Sequence, residues 1–355
     1  MTCKSSAYVT LNQAEGVFAR LLDHAREHDV VLEQTGPKDF KIVVGSGFIA
    51  IGTDGLGLIL NVSAESVSIL YFLKEAAALH LAEYNAEVAE ALHWEDESTR
   101  PLNLKAPPSF HELSVVSVSE PMDGLIRLRL SGTDDLSGLA GPGIHVKLML
   151  PINPERTPVW PQASRNGLTK WPKGADELHV RYYTIKFIDL TAGVLDIDIV
   201  RHDGGLIADW AVAAKPGAKI GLLGPGGGET PDKAKRVLLC GDKTALPALA
   251  RMLEELPDNV AGDVVAEAAD LDCLTHYLPS THLTLHVLPE DRFRSDVEQY
   301  SESLTVNKKP DFAWFAGEHQ NAQSMRRFFK SDLGLSKGQQ YAITYWRDGG
   351  PLEAN

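Results

Sequence analysis

Hydrophobic and polar positions change their periodicity along the chain. In the first part, apolar side chains recur at helical spacing over residues 11–28 and over about 64–92. Between these segments lie β-rich runs at 40–44, 48–52 and 56–62, separated by glycines that predict turns. This first part is therefore predicted to be a small α+β domain.

From residue 113 to 223 the pattern consists of short runs in which apolar and polar residues alternate. These runs enclose one short helical segment at 206–214, which is typical of a closed or partly closed antiparallel barrel. One connection, residues 151–178, is unusually long, and a loop of this length in a compact domain is usually functional or disordered.

Beyond residue 235, strand-like and helix-like segments alternate, from RVLLCG at 236–241 to QQYAITYW at 339–346. This alternation predicts a parallel doubly wound sheet that binds its ligand at the carboxyl ends of the strands. The predicted fold class is therefore multidomain, α+β and α/β. Its predicted parts are an α+β domain at 1–95, a linker at 96–110, an antiparallel β-barrel at 111–230 and a doubly wound nucleotide-binding domain at 231–355.

Composition argues against several classes of function. The 34 Lys and Arg against 48 Asp and Glu give a net charge of −14, which argues against a nucleic-acid partner because phosphate contacts need a basic face. The chain has no apolar run long enough for a membrane span and no secretory signal at its start. Three scattered cysteines indicate no disulfide framework. We expect a cytoplasmic protein.

The segment RYYTIK at 181–186 is the first candidate for cofactor chemistry. On a strand, Arg181 and Tyr183 share a face, and Thr184 follows them. A guanidinium suits a pyrophosphate, a tyrosine ring suits a flat heterocycle, and a hydroxyl can bond a ring nitrogen. Taken alone, an ordinary β-rich strand explains these residues equally well.

Glycine-rich turns supply further candidates. Gly204 and Gly205 open the short helix after VLDIDIV, where exposed N–H groups can bind an anion, although a simple turn is the alternative. The cluster at 224–228 lacks a Walker motif and is equally consistent with a flexible turn. Gly241 begins a strand–turn–helix in the position where doubly wound sheets bind nucleotides, although GxGxxG is absent.

These segments together resemble the siderophore-interacting proteins, a branch of the ferredoxin-reductase-like flavoproteins. The resemblance covers roughly residues 110–355 and is specific as a set. The segments that carry it, in family order, are HVKLMLP (145–151), RYYTIK (181–186), DIDIVRHDGGLIADWA (196–211), LLGPGGG (222–228), LLCGDKTALPALARMLE (238–254), FAGEH (315–319) and YWRDG (345–349). The N-terminal part looks like a small domain of unknown function that precedes some family members.

The resemblance implies FAD on the barrel and NADH or NADPH at the C-terminal domain. Lys147 and Arg347 are the predicted catalytic residues, because the equivalent positions in some members help to hold the ferric siderophore. The predicted cofactor-binding residues are Arg181, Tyr183, Thr184 and Ile185 near the flavin, His202, Gly204, Gly205 and Ala208 near the FAD phosphate and ribose, and Gly241, Asp242, Thr244 and Ala245 near the nicotinamide nucleotide.

The chain departs from the family pattern at three positions. Family members commonly carry arginine where this chain has Lys186, serine where it has Ala208, and an acidic residue where it has Lys243. Lysine keeps the charge of arginine but loses its bidentate geometry, and alanine lacks the hydroxyl donor of serine. These changes put the strength of FAD binding and the choice between NADH and NADPH in question.

The predicted function is NAD(P)H-dependent reduction of ferric siderophores through FAD, which releases Fe(II) for iron assimilation. The alternatives are a siderophore-binding or carrier protein with little catalysis, or a general flavin or quinone reductase. No metal site is predicted, because the pairs His24/His28 and His282/His286 lack an HExxH pattern or a nearby cysteine. The particular siderophore, the role of the N-terminal domain and the oligomeric state do not follow from the sequence.

Overall fold

The computed structural model describes residues 2–27, 31–44, 46–84, 86–96, 105–140, 143–202, 204–226, 231 and 233–350. The chain forms two compact units. Unit 1 comprises Met1–Phe110 and Pro151–Leu178, and unit 2 comprises His111–Leu150 and His179–Asn355. The long connection at 151–178 is thus part of unit 1. The finer division into four parts stays a prediction.

The structure contains the following strands and helices. The strands are β1 (Cys3–Thr10), β2 (Val31–Gly36), β3 (Asp39–Val44), β4 (Gly47–Thr53), β5 (Gly57–Ala64), β6 (Trp94–Asp96), β7 (Phe110–Met122), β8 (Leu125–Gly132), β9 (His145–Pro151), β10 (Gln162–Ala163), β11 (Thr169–Lys170), β12 (Leu178–Asp189), β13 (Val194–Val200), β14 (Lys219–Leu223), β15 (Arg236–Gly241), β16 (Ala261–Glu267), β17 (Thr284–Leu288), β18 (Phe312–Glu318) and β19 (Gln340–Trp346). The helices are α1 (Ala14–Glu27), α2 (Val67–Tyr84), α3 (Ala86–Ala91), α4 (Leu206–Ala213), α5 (Leu246–Glu255), α6 (Leu271–Tyr277), α7 (Glu290–Thr305) and α8 (His319–Arg327).

Unit 1 is built on a six-stranded antiparallel sheet in the order β2-β3-β4-β5-β1-β6. Strand β4 alternates buried and half-buried positions along its length, as a sheet with one covered face requires. Helices α1 and α2 both contact β4 and β5. Phe18 and Leu21 of α1 and Leu73 and Leu81 of α2 join the sheet residues in one hydrophobic core.

Residues 151–178 are fixed within unit 1 by hydrogen bonds. The indole nitrogen of Trp94 donates to the carbonyl of Asn166 at 2.9 Å, and the side-chain amide of Asn166 donates to the carbonyl of Ala89 at 3.1 Å. The backbone N–H of Thr169 donates to the carboxylate of Glu75 at 3.0 Å. The long connection is therefore an ordered part of the N-terminal unit.

The first half of unit 2 is a closed barrel in the order β12-β13-β8-β7-β14-β9. Its interior is filled by branched aliphatic side chains, including Leu128, Val146, Leu148 and Ile197. Because the sheet closes on itself, none of the six described barrel strands is an unpaired edge.

The second half of unit 2 is a parallel five-stranded sheet in the order β17-β16-β15-β18-β19. Alternate residues of β15 lie in two different cores: Val237 and Leu239 in one, Leu238 and Cys240 in the other. Both faces of the sheet are thus covered, as continuous apolar strands predict. The carboxyl ends of β15, β16 and β18 meet at one edge.

The predicted fold class is confirmed, but several elements differ from the prediction. The expected helix at 64–92 consists of two helices, α2 and α3. Sequence analysis missed β1, whose buried positions are Ser5, Ala7 and Val9, because small and polar residues give a weak alternation signal. It also missed α7, where Ser301 and Thr305 occupy buried positions that would otherwise carry large apolar residues.

Two further predictions concern the linker and the membrane. Most of the predicted linker at 96–110 lies outside the described residues, which omit 97–104. Among the residues that are described, no helix is long and apolar enough to cross a membrane.

Candidate functional site

Strand β12 carries the RYYTIK segment at the barrel wall. The side chain of Ile185 is fully buried in the barrel core, and the half-buried ring of Tyr183 packs against that core. Burial raises the pKa of the Tyr183 hydroxyl, and the positive charge of Arg181 opposes this shift. The guanidinium of Arg181 donates to the carbonyl of Val180 at 2.7 Å. Arg181 and Tyr183 are thus neighbours, as alternation on a strand predicts.

Thr184 lies where the barrel meets the C-terminal sheet. It is 4% exposed and adjoins the hydroxyl of Tyr345 on β19, where it opposes the rise in pKa that burial causes. The same hydroxyl is hydrogen-bonded to Nε2 of His145 on β9, and the two rings meet edge to face with centroids 5.4 Å apart. A chain of three polar side chains therefore joins two barrel strands to the last strand of the sheet.

Burial determines the charge of the His145 and Tyr345 side chains. It lowers the pKa of His145 to about 4 and raises the pKa of Tyr345. Both side chains are therefore neutral near pH 7, because a charged group is disfavoured where water is excluded. The imidazole and the phenol can exchange donor and acceptor roles without creating a net charge.

The start of α4 is an open cluster of backbone donors. Gly205 is the N-cap, and within the described chain no side chain caps this helix. The first N–H groups of a helix have no intrahelical acceptor, so they can bind an anion. The ring of His202 lies against Gly205, where a Cβ would come within 2.3 Å of the ring, so any other residue at this position would have to displace that exposed ring. Gly204 and His202 are exposed beside this helix start.

Ala208 and the glycine cluster at 224–228 were also singled out in the sequence. Ala208 is 1% exposed and packs in the barrel core, so the serine hydroxyl of other family members has no counterpart here. In the glycine cluster at 224–228, residues 227 and 228 lie outside the described residues.

The turn after β15 is held by hydrogen bonds to the side chain of Asp242. The carboxylate of Asp242 accepts from the N–H of Thr244 at 2.9 Å and from the N–H of Glu318 at 3.0 Å. It also accepts from the hydroxyl of Thr244 and from the indole nitrogen of Trp346, the latter at 2.7 Å. The turn is tight, because a Cβ on Gly241 would lie 2.4 Å from the Cβ of Ala245. Asp242 thus ties the turn to the ends of β18 and β19.

A second carboxyl group lies at the same sheet edge. Glu267 ends β16 and is 8% exposed. Burial, with a smaller contribution from the charge of Asp242, raises its pKa to about 7, while Lys243 acts in the opposite direction. Burial also raises the pKa of Asp242. The sheet edge therefore holds two acids that favour their protonated forms more than ordinary surface acids do.

The two predicted siderophore-binding residues have different neighbours. The ammonium of Lys147, on β9, lies 5.2 Å from the centroid of the Tyr182 ring, a cation–π contact. Arg347 follows β19, is exposed, and has its guanidinium 3.4 Å from Nε2 of His319. Lys147 thus extends from the barrel wall and Arg347 from the end of the C-terminal sheet.

Lys186, which replaces an arginine of the family, faces the C-terminal domain. Its ammonium lies 3.5 Å from the carboxylate of Glu254 on α5, and its side chain is 14% exposed. The nearby Arg251 donates to the carbonyl of Ile185 at 3.3 Å. These contacts make Lys186 part of the contact between β12 and α5.

Sequence analysis did not single out several residues of this site. They are His145 and Tyr345 around Thr184, and Glu267, Glu318, His319 and Trp346 at the sheet edge. All except Glu267 lie within segments that carry the family resemblance, namely HVKLMLP, FAGEH and YWRDG. No sequence motif marks Glu267, because its position at the sheet edge depends on where β16 ends beside β15.

The residues present fit FAD. The uncapped start of α4 offers N–H donors to a pyrophosphate, and the exposed ring of His202 adjoins it. Arg181 adds a positive charge beside the Tyr183 ring, which can pack on a flat heterocycle. The Thr184 hydroxyl follows on the same strand and is of a kind that can bond a ring nitrogen.

Two family models match this chain. A family model described as the siderophore-interacting FAD-binding domain matches residues 114–229, and one described as siderophore-interacting protein matches residues 234–349. Both models begin beyond residue 113, so the N-terminal part lies outside them.

Two individual proteins and one solved structure are similar to this chain. The NADPH-dependent ferric-chelate reductase of Escherichia coli (strain K12) is 30% identical over 247 residues, which cover 67% of this chain and 92% of that protein. The ferric acinetobactin reductase of Acinetobacter baumannii is 25% identical over 252 residues, covering 67% and 78%. The crystal structure of a siderophore utilization protein from T. fusca superposes with a TM-score of 0.54 at 30% identity and covers 69% of this chain and 95% of that one.

Proposed function

The chain belongs to the siderophore-interacting protein family, and we propose that this FAD-binding reductase passes electrons from NAD(P)H to a ferric siderophore where its barrel meets its C-terminal sheet. The observation that carries the proposal is the hydrogen bond between His145 on β9, the barrel neighbour of β12, and Tyr345 on β19. It brings the RYYTIK strand, where FAD is expected, beside the C-terminal sheet, where the nucleotide is expected. Each half of unit 2 thus contributes to one site.

The chemistry requires a mediator between two kinds of electron transfer. A nicotinamide gives up two electrons as a hydride, whereas Fe(III) accepts one, and FAD can do both. Siderophores hold Fe(III) through hard oxygen donors, and these ligands bind Fe(II) less well. Reduction therefore weakens the chelate, and the protein needs no iron ligands of its own at this site.

The residues of the chain would bind and orient the reactants. In this proposal the α4 N–H groups, His202 and Arg181 hold the FAD phosphates, and the Tyr183 ring packs against the flavin. Gly241, Asp242, Thr244 and Ala245 shape the turn that the nicotinamide nucleotide approaches. The neutral His145–Tyr345–Thr184 chain lies between them and can hold or move a proton at the Tyr345 hydroxyl without a charged intermediate state.

The basic residues would select an anionic substrate. The protein carries a net charge of −14, so an anionic ferric chelate is repelled at long range and needs local positive charge to bind. Lys147 and Arg347 supply that charge in this proposal. We also place the reaction in the cytoplasm, because Cys3, Cys240 and Cys273 are all free thiols, as a reducing compartment favours.

A visible spectrum of the purified protein, recorded without oxygen, tests the proposal. We expect flavin absorption bands that bleach on addition of NADPH or NADH and return on addition of a ferric catecholate siderophore, with Fe(II) captured by a ferrous-specific chelator. A protein that acquires no flavin bands even after FAD is added back would contradict the proposal and favour a siderophore carrier. Bleaching by nucleotide without reoxidation by any ferric chelate would favour a general flavin or quinone reductase.

The variant Lys147→Ala tests the choice of acceptor. We expect kcat/KM for an anionic ferric chelate to fall about tenfold, while activity on a neutral quinone changes by less than about twofold, because only the first substrate needs the local charge. Lys215→Ala, which removes the same charge from an exposed position after α4, is the matched control. An equal loss on both acceptors would show that Lys147 does not recognise the chelate.

A further inference from the structure

A cluster of potential metal ligands lies in unit 1. His24 is in the last turn of α1, and His80 and Glu83 are in the last turns of α2. One ligand atom from each of the three side chains lies within 4.8 Å of the others. Sequence analysis paired His24 with His28 along one helix, but the structure pairs His24 with a histidine of another helix.

The geometry of the cluster is compact. The imidazole rings of His24 and His80 have centroids 4.9 Å apart and are tilted by 60° to each other. Nδ1 of His80 lies 3.7 Å from the carboxylate of Glu83, which is longer than a hydrogen bond. Donor atoms bound to one ion at about 2.1 Å and at tetrahedral angles lie about 3.4 Å apart. Side-chain rotations that move each ligand atom by about 1 Å would therefore bring all three atoms to one ion.

The two helices hold the ligands on rigid elements. Leu21 and Ala25 flank His24 on α1, and Ala77 and Leu81 flank His80 on α2. All four of these flanking residues are buried in the single core of unit 1. The i, i+3 spacing of His80 and Glu83 places both side chains on the same face of α2. The backbone positions of the ligands are thus fixed by packing, which favours a preformed site.

We propose that His24, His80 and Glu83 bind a divalent first-row transition-metal ion. Two imidazoles and one carboxylate suit Zn(II), Fe(II) and similar ions, and they do not suit Mg²⁺ or Ca²⁺, which prefer oxygen ligands. Glu83 is exposed and the two histidines are half-buried, so water can complete the coordination shell from the solvent side. The site belongs to unit 1 and is separate from the flavin site proposed in unit 2.

Metal binding to the full chain, expressed without a histidine tag and stripped with a chelator, tests this proposal. We expect one equivalent of Zn(II), and of Fe(II) under anaerobic conditions, by equilibrium dialysis and elemental analysis. His80→Gln and His24→Gln should weaken binding at least tenfold, and Glu83→Gln should weaken it by about tenfold, because each removes one ligand. His93→Gln, which changes an exposed histidine of the same unit, should bind like the unchanged protein.

The outcomes are distinct. Failure of the unchanged protein to bind either ion, or equal binding by the His80→Gln variant, would overturn the proposal. Glu83→Gln alters an exposed side chain, so a loss of binding in that variant cannot be ascribed to a failure to fold. The measurement uses neither NAD(P)H nor a siderophore, so its result is independent of whether the proposed reduction takes place.

Discussion

Two turns in unit 2 lead from a strand into a helix, and they differ in what occupies the helix start. After β13, Gly205 caps α4 without a side chain, and the neighbouring described residues His202 and Gly204 are exposed. After β15, the carboxylate of Asp242 caps the short 3-10 helix Lys243–Ala245 that precedes α5, and it accepts from the N–H of Thr244. Both turns contain glycine, but only the turn after β15 has a side chain that accepts from its first N–H groups.

The difference separates a binding turn from a structural one. A carboxylate at a helix start already satisfies the N–H groups and repels a second anion, whereas an uncapped start attracts one. We therefore propose the start of α4 as the site of the FAD phosphates. The carboxylate of Asp242 instead holds the ends of β18 and β19 through Glu318 and Trp346.

Giving α4 the kind of cap that Asp242 provides should have the largest effect. We expect Gly205→Asp to weaken FAD binding about 100-fold, because like charges brought together at a binding site cost several kcal/mol. The folded state should be retained, since Gly205 has a φ of −84°, which any residue can adopt. Titration of apoprotein with FAD, followed by flavin fluorescence, measures the change.

Gly205→Ala is the control for that variant. It introduces the same Cβ against the ring of His202 without the charge, so we expect FAD binding to weaken by no more than about tenfold. Equal losses in the two variants would mean that space beside His202, and not charge at the helix start, determines FAD binding.

Removing the carboxylate at the other turn should reduce stability. Asp242→Ala leaves the N–H groups of Thr244 and Glu318 and the indole of Trp346 without their acceptor in a buried site. We expect the free energy of unfolding to fall by about 3 kcal/mol, at 1–3 kcal/mol for each unsatisfied buried donor with partial relaxation. Urea unfolding followed by circular dichroism measures it.

Thr244→Val is the matched control, since it removes one hydroxyl donor and keeps the carboxylate. A loss of about 1 kcal/mol is expected there. If Asp242→Ala were no less stable than Thr244→Val, the network around Asp242 would contribute little to the fold.

Glu267 should give the sheet edge a characteristic pH dependence. Its pKa is raised from 4.5 to about 7, so the folded state holds a proton that the unfolded state has lost between those pH values. Stability therefore falls as the pH rises from about 4.5 through 7. Glu267→Gln should be about as stable as the unchanged protein near pH 4.5 and more stable by about 1–2 kcal/mol at pH 8.

Urea unfolding at a series of pH values compares the two proteins. Asp242 is present in both of them, so the difference between their curves reports Glu267 together with its coupling to Asp242. Parallel curves over the whole range would show that Glu267 is ionised as readily in the folded protein as in the unfolded chain.

Lys186→Ala should have the smallest effect. Its ammonium is paired with Glu254 at the contact of β12 and α5, so we expect a stability loss below about 1 kcal/mol and a change in FAD affinity of less than about threefold. Glu254→Gln should produce a similar loss. A tenfold weaker FAD affinity in Lys186→Ala alone would place Lys186 at the cofactor.

The fold followed from the sequence where patterns were long and apolar. Alternation over 113–223 and the βα pattern beyond 235 predicted the barrel and the parallel sheet, because a buried face requires a regular period. The strand β1 and the helix α7 were missed, because Ser5 and Ser301 occupy core positions with side chains that carry no hydrophobic signal. The placement of 151–178 in unit 1 was missed because it depends on contacts with Trp94 and Glu75, far away in the sequence.

The candidate site was predictable as a set of motifs and less so as a set of contacts. The family resemblance led to Arg181, Tyr183, Thr184 and the turn at Gly241, whose roles stay predictions. It could not reveal that Asp242 is bonded to Trp346, because that contact spans 104 residues. The cluster of His24, His80 and Glu83 was missed for the same reason, since two helices bring its members together.

The route of the chain through unit 1 has a consequence for its synthesis. Unit 1 is discontinuous: the chain leaves it after Phe110, forms the first barrel strands, and returns to it at Pro151. On the ribosome, the indole of Trp94 and the carboxylate of Glu75 must wait for Asn166 and Thr169 to emerge. The N-terminal unit therefore cannot complete its folding until three strands of the barrel, β7, β8 and β9, have been made.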